Sequence, residues 1–92
     1  MATFATKVLG EFLGCMLLVL SVFVSGGHAL VIGATLAFIV LLVGPISGAA
    51  VNPAIAFASW LKGDLDAITA WSYFGAEMAG AGVATLAFQY LA

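Results

Sequence analysis

Charge is what this 92-residue sequence has least of: two lysines, no arginine and four acidic residues make up 7% of the chain. From Phe12 to Leu61 there is no Asp, Glu, Lys or Arg at all. No soluble core needs such a run, and no basic patch exists for nucleic acid, so no nucleic-acid partner is expected. Cysteine is nearly absent too. Cys15 stands alone in an apolar segment, which rules out an internal disulfide and leaves it as a small packing residue. Proline occurs twice, at Pro45 and Pro53. There is no nucleophile–base pair, phosphate loop or metal-ligand cluster, so neither an enzyme nor a cofactor or metal site is expected.

What the chain does contain is 65% hydrophobic residues and a mean hydropathy of +1.29. That combination describes an integral membrane protein in contact with lipid. A cleaved signal peptide over residues 1–27 is a poor reading of the N-terminus, because Glu11 interrupts a run that is already too long. The length suits one domain, residues 1–92, too small to be a large transporter alone.

Both prolines lie in Gly44-Pro45-Ile46-Ser47-Gly48-Ala49-Ala50-Val51-Asn52-Pro53-Ala54, and the chain is organised around this stretch. Pro53 has no N–H and a fixed φ, which suits the first position of a helix, and Asn52 before it is a good N-cap. Lys62, Gly63 and Asp64 end that helix after about 13 Å, less than half of a hydrocarbon core of about 30 Å. Residues 45–61 therefore read as a re-entrant loop and half-helix, irregular from Pro45 to Val51. Irregular backbone at membrane depth survives only against protein or a watery cavity. The positive end of the helix dipole and the Asn52 amide would face mid-membrane, where something small and polar crosses.

The remaining chain supplies three spans, at about 8–25, 29–44 and 67–91. Lys7 can snorkel at the start of the first. Gly10 and Gly14, Gly33 and Ala37, and Ala76, Gly80 and Ala84 form small-residue stripes for close helix packing. Ser25-Gly26-Gly27-His28 is a surface turn, with His28 in solvent. Trp60, Trp71, Tyr73 and Tyr90 read as interfacial aromatics, and Asp64 or Asp66 can cap the last helix. Asn52 reads as a pore residue as well as a cap. Glu11 reads either as a span-edge charge that snorkels or as a buried acceptor for the loop's bare N–H groups. Glu77 reads as a loop-supporting acceptor, protonated part of the time because ionisation would be costly there, with a lumen-facing position as the alternative. Lys7 and Lys62 on one side, against none on the other, favour a cytoplasmic N-terminus.

These residues resemble half of an aquaporin, of the major intrinsic protein family of water and glycerol channels. Glu11-Phe12-Leu13-Gly14 is similar to that family's first-helix motif. Ser47-Gly48-Ala49, followed by Asn52-Pro53-Ala54, is similar to its first signature loop, and Tyr73, Ala76, Gly80 and Ala81 echo its third helix. The resemblance implies three transmembrane helices plus one re-entrant half-helix, half of a right-handed all-α bundle. Family members carry two inverted halves, so it also implies antiparallel association with a second copy or a complementary half-channel chain. Four pores per assembly are implied as well. Ser47 and Gly48 would support the loop, with Glu11 as its buried acceptor, and Ile32, Val40, Ala49 and Ile55 would line apolar constrictions. The chain departs from the family at Ala50, Ile55 and Glu77, where histidine, arginine and glutamine are common. The expected function is a passive channel for water or small uncharged solutes in a cell membrane, with dual topology if the pore is homodimeric. A small holin-like or structural membrane protein, or an inactive fragment of a full channel, are the alternatives.

Overall fold

Proline and glycine set most of the boundaries in the computed structural model, which describes residues 2–91. Four α-helices follow one another: α1 (Phe4–Val24), α2 (Ala29–Ser47), α3 (Pro53–Lys62) and α4 (Ala67–Leu91). No strand occurs among the described residues. Thr3 starts α1 four residues earlier than the apolar run suggests, its hydroxyl accepting the Thr6 N–H at 3.1 Å. His28 caps α2 in the same way, its Nδ1 accepting from Val31 N–H at 3.4 Å. Asn52 caps α3, and Gly63 ends that helix in the left-handed region at φ 94°. Asp66 caps α4 through its Oδ1 and the Thr69 N–H, 2.8 Å apart.

One boundary corrects the sequence reading. α2 does not end at Gly44-Pro45 but runs through Pro45 to Ser47. Proline lacks the N–H that would bond the Leu41 carbonyl, so α2 continues here with one hydrogen bond fewer. Gly48 then closes the helix at φ 89°, its N–H bonded to the Gly44 carbonyl. The irregular segment is correspondingly shorter, Gly48 to Val51.

By length and composition, two of the described helices could cross a membrane: α1, with mean hydropathy 2.0, and α2, with 2.6. α4 is longer, but Ser72, Glu77, Gln89 and three glycines dilute its apolar content.

α1 is the central helix, packed on both α2 and α4, while α3 packs on α4. Glycines set the closest approaches. A Cβ on Gly80 would run into the Phe12 carbonyl and lie 3.1 Å from the Met16 nitrogen, so the α1 and α4 backbones are in contact there. Phe23 and Phe88 meet further along, ring centroids 5.6 Å apart, so α1 and α4 run in the same direction. Gly10 faces Val43 and Ser47, and Gly14 faces Ile39, so α2 returns antiparallel to α1. Gly33, by contrast, has no atom near its missing Cβ, and only Ile39 and Ser47 of α2 are buried. An aromatic row of Phe57, Trp60, Trp71 and Phe74 ties α3 to α4, with successive centroids 5.9 to 6.5 Å apart.

Candidate functional site

The backbone from Gly48 to Val51 is costly to hold. Ala49 and Val51 have φ of 50° and 42°, the left-handed region that disfavours residues with a Cβ, and a β-branched one most of all. Such conformations persist where surrounding structure over-determines them.

Three helices supply the restraint here. From α1, the fully buried Glu11 carboxylate accepts the Val51 N–H at Oε1, 2.8 Å away, and the Ser47 hydroxyl at Oε2, 2.6 Å away. The Ser47 oxygen in turn accepts the Ala49 N–H at 3.2 Å. From α4, the Tyr73 hydroxyl donates to the Ser47 carbonyl at 2.8 Å. The Val51 side chain is 2% exposed and packs with Cys15 and Ile39. Gly14 makes the room: a Cβ there would lie 2.6 Å from Val51 Cγ1. The small face at Gly10 and Gly14 thus receives side chains from α2 and the loop.

Held this way, the loop presents Asn52 and Ala54 at its exposed end. Asn52 Oδ1 accepts the Ala54 N–H at 2.8 Å, which leaves the two side-chain N–H donors unused by the cap. Ten residues of α3 stand behind this end, with their dipole positive towards Asn52. A cavity of about 300 Å³ adjoins the loop, lined in part by Gly48, Ala50, Ile55, Ser59 and Asp64.

Of the residues singled out from sequence, Glu11, Ser47 and Gly48 meet around the loop, and Asn52, Pro53 and Ala54 lie at its exposed end. Glu77 is fully buried behind it. Ile55 is half exposed and lines the cavity. Ile32 and Val40 lie apart from that cavity on α2, and Ala49 is buried rather than lining it.

Two contributions escaped the sequence. Tyr73 is not an interfacial anchor: it is 1% exposed and bonded to the loop. The available signal was its place one turn before Glu77, on the stripe that continues through Gly80 and Ala84. Val51 carries no local signal, because its partner Gly14 is far away in sequence.

An all-helical chain with two span-length apolar helices, and a short Asn-Pro-started helix on a buried strained loop, has the build of a membrane protein. More specifically, the chain belongs to the major intrinsic protein family, whose model matches residues 1–92, and members of that family are membrane channels rather than enzymes. Over 91 residues it is 35% identical to a protein of Archaeoglobus fulgidus described as "Probable aquaporin AqpM". That match covers 94% of this chain but 37% of the relative's length. No solved structure matches the chain.

Proposed function

We propose that the chain is one half of a passive channel for water and other small uncharged solutes, completed by antiparallel association with a second half. The observation that carries this is the exposed Asn52-Pro53-Ala54 end, propped by Glu11 and Tyr73, in a chain covering little more than a third of an aquaporin relative. In this reading α1, α2 and α4 span the membrane. α3, about 15 Å long at roughly 1.5 Å per residue, re-enters to about the mid-plane. The partner half is a second copy or a complementary chain, and the largely exposed α2, with Gly33 and Ala37 unused within the chain, is available to it.

At mid-pore, Asn52 from each half donates to the solute oxygen while both α3 N-termini point positive charge inward. A water molecule oriented this way cannot pass a proton along the file, and cations are repelled. Ile55 occupies the position after Asn-Pro-Ala, so the passage there carries no fixed charge and offers fewer donors than a guanidinium would. Modest water flux, good passage of weakly polar neutral molecules and no ion current follow.

Stopped-flow light scattering of proteoliposomes, first with an impermeant osmolyte and then with glycerol, tests the reading. Shrinkage no faster than that of empty vesicles would overturn it for the chain acting alone and point to a complementary half. Steady cation conductance in planar bilayers would instead favour a holin-like pore. A cysteine added at the N-terminus should react from both faces of the membrane if the pore is homodimeric; labelling from one face alone excludes that dimer.

A further inference from the structure

Glu77 is the one described residue with buried side-chain oxygens that find no hydrogen-bond partner, and both of its carboxyl oxygens are in this state. It is 0% exposed, as is Glu11. α4 touches the α1 backbone at Gly80, against Phe12 and Met16, beside Glu77 and Glu11 on the two helices. The groups facing Glu77 are therefore the Glu11 carboxyl and the Asn52 backbone N–H, and neither of its oxygens receives a donor. No cation compensates the two: the single ion pair among the described residues is Lys62–Asp64, at the surface.

Glu11 is differently placed. Each of its oxygens already accepts one hydrogen bond, from Val51 N–H and from Ser47 Oγ, and each keeps a second lone pair. It therefore has the partners an ionised carboxylate requires, whereas Glu77 has none. An ionised Glu77 would bring a second set of acceptors to a site that lacks donors. A neutral carboxylic acid supplies what is missing, since its O–H can donate to Glu11 while its carbonyl oxygen accepts from Asn52 N–H.

We infer that Glu11 and Glu77 hold one proton between them, with Glu77 as the acid that donates it to Glu11. Glu77 is then a positioning residue. It acts through Glu11, keeping that carboxylate aimed at Ser47 and Val51, while its carbonyl oxygen accepts from the Asn52 N–H. This goes beyond the channel reading and does not depend on it, because both carboxyls are buried within the single chain. It sharpens the sequence expectation for Glu77, a loop-supporting group protonated part of the time, into a donor to Glu11.

Infrared difference spectra of the detergent-purified protein against Glu77→Gln provide the test. At neutral pH the unmodified protein should show the C=O stretch of a buried carboxylic acid, shifted in D2O and lost in Glu77→Gln. Glutamine has the same shape, one donor for Glu11 and one acceptor for Asn52, so Glu77→Gln should melt close to the unmodified protein. Glu77→Leu should lose the band and melt lower. Absence of the band from the unmodified protein, its persistence in Glu77→Gln, or a Glu77→Gln melting point as low as that of Glu77→Leu would each overturn the shared proton.

Discussion

Glu11 and Val51 are 40 residues apart in sequence, yet the Glu11 carboxylate accepts the Val51 backbone N–H at 2.8 Å. This bond joins a helix to a residue in the left-handed region, at φ 42°. A second bond from the same carboxylate reaches Ser47, the last residue of α2. One buried side chain therefore grips the loop at both ends. Glu11→Leu leaves a buried N–H and a buried hydroxyl without their acceptor, at a cost of about 1–3 kcal/mol for each unpaired group. Glu11→Gln keeps one carbonyl oxygen for Val51 and should retain most of the stability. Thermal unfolding in detergent distinguishes the two, and equal melting temperatures would contradict the role assigned to the carboxylate.

Glycine substitutions should sort by what their new Cβ meets. Gly14→Ala drives a methyl into Val51 and Ile39, and Gly80→Ala drives one into the α1 backbone. Overpacking of this kind costs about 1–3 kcal/mol, and neither neighbour can yield by rotating a flexible chain end. Gly33→Ala meets nothing and removes a glycine from a helix, so the isolated chain should be unharmed or slightly firmer. Melting temperatures of the three variants in detergent check the order. Gly14→Ala melting with Gly33→Ala would show that Val51 does not pack as described.

Acid should weaken the start of α4. Asp66 is held below its ordinary carboxylate value, first by the Thr69 hydroxyl and then by the Thr69 backbone N–H. A carboxyl depressed in the folded state gives its full contribution above the unfolded value, about 3.9, and loses it as pH falls through the folded value. Melting temperature recorded between about pH 6 and pH 3 should decline less steeply in Asp66→Asn, whose cap cannot be protonated, than in the unmodified protein. Identical slopes would remove Asp66 from the acid response.

Ile55 lines the cavity beside the loop. In the proposed channel, Ile55→Arg should place a charged, donor-rich group beside the path. Glycerol flux should then fall relative to water flux in proteoliposomes that contain equal amounts of folded protein. An unchanged ratio would mean that Ile55 does not border the conducting path.

Much of this arrangement is readable from short stretches of sequence, because the physics involved is local. Asn52-Pro53 starts a helix through a cap and a missing N–H, and Gly63 with Asp66 ends one helix and begins another within four residues. The charge-free run and the signature residues mark a membrane chain of this family in the same way. Pro45 shows the limit of local rules: the residue is unfavourable in a helix, yet α2 runs through it to Ser47 and closes at Gly48.

Tertiary structure alone decided what each of these elements meets. Tyrosine serves equally well at a membrane interface or in a core that offers its hydroxyl an acceptor, and only the packing of α4 brings Tyr73 to the Ser47 carbonyl. Gly14 advertises a close approach without naming the visitor; the fold puts the Val51 side chain there, beneath a strained backbone that no local preference would select. Glu77 reads in sequence as a loop-supporting group for which ionisation is costly, and only the fold shows it fully buried with no donor to either oxygen. Caps and breaks depend on dihedrals and hydrogen bonds within a turn of the chain. Packing partners depend on surfaces that become neighbours only after the helices have docked.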